Sequence, residues 1–143
     1  MFVKQISVFL ENTKGGLEKI ARLLSDSQID LIALSIADTE HFGIMRCIVS
    51  DTDKGAQVLR AAGHTVRLAD VLAVSVPDRP GGLTDVLAVL NAADISVEYL
   101  YSFVRNSGHN ALVIFRVDNT ERAVQVLSEA GVTLLDQKQV CSL

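Results

Sequence analysis

The strongest constraint on this chain is that it is written twice. The stretch NTKGGLEKIARLL, beginning at Asn12, returns as DRPGGLTDVLAVL, beginning at Asp78. At an offset of 66 residues, Gly15, Gly16 and Leu17 fall on Gly81, Gly82 and Leu83, Leu24 on Leu90, and Ile29 on Ile95. Further on the offset becomes 68, where QVLRAAGHT (57–65) matches QVLSEAGVT (125–133) at six of nine positions. The two-residue difference enters between Ile36 and Ala56, where a loop tolerates it. Residues 1–68 and 71–143 therefore read as two copies of one unit.

Each copy has the same periodicities. A first strand spans Phe2–Leu10, with Phe2, Ile6, Val8 and Leu10 on one face, and its counterpart is Val71–Val76. A helix follows the glycines, with an apolar stripe at Leu17, Ile20, Ala21 and Leu24, echoed by Leu83, Val86, Leu87 and Leu90. Second strands are expected over 31–37 and 97–104, then turns at Thr39–Gly43 and Asn106–Gly108, then third strands over 44–49 and 112–117. Second helices should start near Asp53 and Thr120, whose side chains suit an N-cap, and end at Gly63 and Gly131. Fourth strands close the copies near 65–68 and 133–139. The sum is α+β: βαββαβ twice, each copy a ferredoxin-like sandwich of two helices on a four-stranded antiparallel sheet.

The link between copies is only Ala69-Asp70. Two residues suit a hairpin but cannot reach the roughly 29 Å across six strand spacings that a side-by-side pair joined by second strands would need. Either the copies exchange fourth strands, so that 65–68 pairs with Val71–Val76, or they stack face to face. Exchange is the expectation.

Composition narrows the function. The net charge is −4 with no basic run, which argues against a nucleic-acid surface. No apolar stretch approaches membrane-spanning length, and the N-terminus lacks a signal-peptide pattern. Cys47 and Cys141 lack metal or redox spacing and read as reduced thiols of a cytoplasmic protein. His41, His64 and His109 fall far apart in expected loops and read as solvated, and no nucleophile stands beside a base, so no catalytic residue and no metal site is assigned. A chain that is 49% hydrophobic at 143 residues also has more apolar surface than it can enclose alone, which points to a homodimer.

The doubled Gly-Gly turn is either a tight strand-to-helix connection built twice, as in many βα turns that bind nothing, or a binding site built twice. The start of a helix presents unpaired N–H groups and positive partial charge, and glycines let a ligand approach them. A carboxylate is the natural occupant, while Asn12 and Asp78 can accept from an ammonium group. Donors beside an acceptor suit a free amino acid. Phosphate fits poorly, since the P-loop spacing and its lysine are missing.

These residues resemble the ACT domain, a small βαββαβ module that binds amino acids and regulates their metabolism. Asp78, Pro80, Gly81 and Leu83 fit its Asx-x-Pro-Gly-x-Leu turn, and Asp94-Ile95 its polar-Ile step into strand two; Asn12, Gly15 and Leu17, then Gln28-Ile29, fit in the first copy. The resemblance covers nearly the whole chain as a tandem ACT protein. It implies ligand sites where ACT units meet, between the turn of one unit and strand two of another. Carried over, the sites comprise Asn12, Thr13, Lys14, Gly15, Gly16 and Leu17 with Gln28 and Ile29, and Asp78, Arg79, Pro80, Gly81, Gly82 and Leu83 with Asp94 and Ile95. Lys14 stands where the family prefers proline, so the two sites are not equivalent. The implied function is a stand-alone amino-acid-binding regulator with no cofactor. The alternatives are a regulatory small subunit of a biosynthetic enzyme such as acetolactate synthase, a ligand-free assembly adaptor, and a small enzyme.

Overall fold

A computed structural model describes residues 1–11, 13–38, 41–103 and 110–143. The expected turn at Asn106–Gly108, the loop residues Thr39 and Glu40, His109 and the turn residue Asn12 lie outside the described residues. The elements are β1 (Val3–Glu11), α1 (Gly16–Asp26), β2 (Leu31–Asp38), β3 (Phe42–Val49), α2 (Thr52–Ala61), β4 (Val66–Pro77), α3 (Gly82–Ala92), β5 (Val97–Ser102), β6 (Asn110–Val117), α4 (Thr120–Glu129), β7 (Thr133–Leu135) and α5 (Gln137–Cys141). The chain forms two compact units, one of Lys4–Ala69 and one of Met1–Val3 with Asp70–Leu143.

In the first unit β3 lies between β2 and β1, antiparallel to both, with Ile6 opposite Cys47 and Leu34 also opposite Cys47 on the other side. The residue leading into β4 joins β1, for the Phe9 N–H donates to the Thr65 carbonyl at 3.1 Å. In the second unit β6 lies between β5 and β4, and β7 pairs with β4 through Ala73–Leu135 and Ser75–Thr133. Both sheets thus have the order 2-3-1-4 of a ferredoxin-like βαββαβ repeat. Each repeat keeps its own fourth strand, which corrects the expected exchange. The hairpin is absent as well, because β4 runs unbroken from Val66 to Pro77. Ala69 and Asp70 carry no φ > 0 residue or proline that would turn the chain, so an extended strand is what they adopt.

Each helix pair covers one sheet face. Ile20 and Leu24 of α1 and Leu59 of α2 meet Ile6, Val8 and Cys47 in one core. Val86 and Leu90 of α3 and Leu127 of α4 meet Leu72, Val74 and Phe115 in the other. The apolar stripe stops short of its expected start: Leu17 and Leu83 are 40% and 37% exposed at the first turns of their helices.

Three local expectations need correction. The N-cap of α2 is Asp51, whose carboxylate accepts from the Lys54 N–H at 3.2 Å, not Asp53. The N-cap of α4 is Asn119, accepting from the Arg122 N–H at 3.1 Å, not Thr120. β7 ends at Leu135 rather than near Gln139, because Asp136 and Gln139 form a reciprocal capping box, at 2.8 and 2.9 Å, that starts α5. Gly63 and Gly131 do end their helices in the left-handed conformation, with φ of 90° and 79°.

Candidate functional site at the doubled turn

The β1–α1 and β4–α3 turns are the same piece of backbone built twice. Thr13 N–H donates to the Glu11 carbonyl at 2.8 Å, Gly16 N–H to Thr13 at 3.2 Å and Lys19 N–H to Gly15 at 3.1 Å. In the second repeat Arg79 N–H donates to Pro77 at 2.9 Å, Gly82 N–H to Arg79 at 3.0 Å and Asp85 N–H to Gly81 at 2.9 Å. Gly15 and Gly81 are the N-cap residues, at φ of 84° and 88°, a conformation that costs a residue with a Cβ about 1 kcal/mol or more. Neither cap makes a side-chain hydrogen bond to its helix. Gly16 and Gly82 spend their N–H groups within the turn, and those of Leu17 and Leu83 are left for water or a ligand.

The second glycine of each pair serves the turn itself. A Cβ on Gly82 would stand 2.0 Å from the Pro77 carbonyl oxygen, and one on Gly16 would stand 3.3 Å from that of Glu11. The close approach of backbone to backbone, rather than of ligand to backbone, is what requires glycine at 82.

The remaining residues of the turn are at the surface. Asp78 and Pro80 are exposed, and Arg79 folds back to pair with Asp85 at 2.9 Å and to donate to the Pro80 carbonyl at 3.2 Å. Thr13 and Lys14 are exposed on the equivalent turn. Ion pairs this exposed contribute little.

Gln28 and Asp94 hold left-handed conformations, φ 58° and 57°, at equivalent places past α1 and α3. Each continues the helix end as a Schellman motif: the Ile29 N–H reaches the Leu24 carbonyl at 2.8 Å and the Ile95 N–H the Leu90 carbonyl at 3.0 Å. The side chains of Ile29 and Ile95 are buried in the cores. Turn and step sit at opposite ends of an 11-residue helix, about 16 Å apart at 1.5 Å per residue. Within one repeat the structure does not bring them together.

The turn instead borders a cavity within its own repeat. In the first repeat a cavity of about 340 Å³ is lined by Glu11, Thr13, Gly16, Lys19, Gly63 and His64 among others. In the second, one of the same volume is lined by Pro77, Gly82, Asp85, Asn110, Gly131 and Val132 among others. Sequence reasoning missed Lys19, His64, Asp85 and Asn110. His64 is not solvated as expected: its Nε2 is buried and has no hydrogen-bond partner. The two offsets match Lys19 to Asp85 and His64 to Val132, but nothing in the sequence joins the members of either pair in one cavity.

The thiol of Cys47 lies in the first core, where burial pushes its pKa up to about 12. Such a thiol is inert as a nucleophile. Among the described residues no group of three or more His, Cys, Asp or Glu could hold a metal ion, and no helix is long and apolar enough to cross a membrane.

A family model described as an ACT domain pair matches residues 1–143. None of the curated proteins compared with the chain matches it. Among solved structures, protein BT0572 from Bacteroides thetaiotaomicron is 38% identical, with a TM-score of 0.94, over 100% of this chain and 98% of that one. The regulatory subunit of aspartate kinase from Thermus thermophilus is 14% identical, with a TM-score of 0.66, over 89% of this chain and 91% of that one. The regulatory subunit of aspartate kinase from Thermus flavus is 13% identical, with a TM-score of 0.62, over 89% and 91%.

Proposed function

The chain belongs to the ACT domain pair family, and on that premise we propose that it is a regulatory protein that binds a free amino acid and has no catalytic activity of its own. The observation that carries this reading is the twice-built turn, with its left-handed glycines, matching hydrogen bonds and helix starts free of side-chain caps. The N–H groups of Gly81 and Leu83 would receive the ligand carboxylate at the positive end of α3. The exposed carboxylate of Asp78 would accept from its ammonium group, and exposed Leu83 offers an apolar wall. Asn12, Lys14, Gly15, Gly16 and Leu17 would play these parts in the first repeat. Gln28-Ile29 and Asp94-Ile95 would complete a site from an adjoining ACT unit, as the family resemblance implies.

Binding would shift an equilibrium in an oligomer or in a partner enzyme. A homodimer in the cytoplasm is the form we propose. A second reading, the regulatory small subunit of an amino-acid biosynthetic enzyme, is supported by the likeness of fold to the two regulatory subunits of aspartate kinase, which spans 91% of each.

The test is a thermal-unfolding panel of the twenty amino acids. A ligand at about 100 times its Kd stabilises the fold by roughly 2.7 kcal/mol, which raises Tm by several degrees for a chain of this length. At least one amino acid should do so. A flat panel at millimolar concentration, with stoichiometric binding of a protein partner, would replace this reading with that of an adaptor.

A further inference from the structure

The two cavities beside the doubled turn have the same backbone and opposite chemistry. Where the first repeat has Lys19 and His64, the second has Asp85 and Val132. In the second repeat the polar side chains satisfy one another: the Asp85 carboxylate accepts from Arg79 at 2.9 Å, and Asn110 Nδ2 donates to Ser75 Oγ at 2.9 Å. In the first repeat they do not. Among the described residues the solvent-exposed Lys19 ammonium has neither ion pair nor hydrogen bond, and His64 Nε2 is buried without a partner. Buried polar atoms are nearly always paired, and an unpaired one beside a cavity marks a missing acceptor or donor. The cavity, at about 340 Å³, is within the size range of small-molecule sites.

We propose that the cavity of the first repeat binds a small carboxylate, with Lys19 as its counter-charge and His64 as its hydrogen-bond partner, and that the cavity of the second repeat takes no anion. A carboxylate brings several lone pairs, enough to serve both side chains at once. Thr13 and Glu11 also line this cavity. The site lies inside one repeat, needs no adjoining unit, and stands apart from the amino-acid reading except that both use Thr13 and Gly16. It would make the two repeats answer to different ligands.

The test follows the backbone amide resonances of Gly16 and Gly63, which line the cavity in every variant, by NMR of the full chain during titration with succinate, glutarate and inorganic phosphate. Succinate and glutarate should move those resonances saturably. Lys19→Gln should weaken the binding at least tenfold, and so should His64→Val, a change to the residue that the second repeat carries at that place and that its fold accommodates. Asp78→Ala should leave it unchanged. Amide resonances that ignore both carboxylates, phosphate bound more tightly than succinate, or succinate bound equally well by Lys19→Gln would each overturn the proposal. Amino-acid stabilisation that is lost in Asp78→Ala but kept in His64→Val, with no succinate bound, would sink this inference alone. Succinate binding lost in His64→Val, in a protein no amino acid stabilises, would sustain it while removing the amino-acid reading.

Discussion

The carbonyl oxygen of Pro77 occupies the space that a side chain on Gly82 would need, 2.0 Å from where its Cβ would stand. The same relation in the first repeat, Glu11 to Gly16, is relaxed to 3.3 Å. Gly82→Ala must therefore move the backbone of the turn and should cost about 3 kcal/mol, the upper end for overpacking. Gly16→Ala should cost under about 1 kcal/mol, since a small shift suffices and alanine is the better helix former. Urea unfolding of the two variants checks the contrast; equal losses would mean that the turns are not built as described.

The second helices are capped by Asp51 and Asn119. Asp51→Ala and Asn119→Ala should each cost about 1 kcal/mol, and the double variant about the sum, because the caps lie in different units. Asp53→Ala should change stability by less than about 0.5 kcal/mol. Chemical denaturation that finds Asp53 the costlier loss would contradict the assigned caps.

The caps show what was legible in the sequence and what was not. Repetition and period give the βαββαβ frame, the buried stripe at Ile20, Leu24, Val86 and Leu90, and the helix-ending glycines, because these are local patterns that each copy confirms in the other. SDTD and DNTE each offer several capping side chains in a row, and only the backbone angles choose among them. The Ala69-Asp70 link reads equally well as a turn or as extended chain, so the continuity of β4 had to come from its pairings on each side. The turn itself was visible from its glycines. The lining of the cavity beside it was not, since Lys19 and His64 are 45 residues apart and meet only through the packing of α1 beside α2.

Cys47 provides a pH signature. Its thiol is raised to about 12 in the folded state, against about 8.5 in the unfolded chain. The folded protein therefore holds this proton more tightly, and the resulting stability is fully present below about pH 8.5. It is lost as pH rises through that value toward 12, at up to about 1.4 kcal/mol per pH unit. Cys47→Ala should flatten this part of the stability curve. In native protein at pH 8, a thiol reagent should react with half-buried Cys141 first and with Cys47 only on unfolding; prompt reaction of both would refute the burial.

The proposed homodimer sets a mass. One chain is 15.4 kDa, so light scattering at micromolar concentration should give about twice that mass, as expected when a small, apolar-rich chain covers surface by self-association. A value of one chain would remove the dimer and with it any site that a second copy must complete.

The central claim is that the doubled turn holds a free amino acid. The most direct measurement is calorimetric titration of the stabilising amino acid into the parent chain and into Asp78→Ala, a surface change that leaves the core intact. Loss of a charge-assisted hydrogen bond to the ligand ammonium group costs about 1.5–3 kcal/mol, so Kd should rise roughly ten- to hundredfold in the variant while its Tm without ligand stays unchanged. An Asp78→Ala chain that binds the amino acid as tightly as the parent, at the same stoichiometry, would contradict the claim for the second repeat and leave its glycines to serve only the turn.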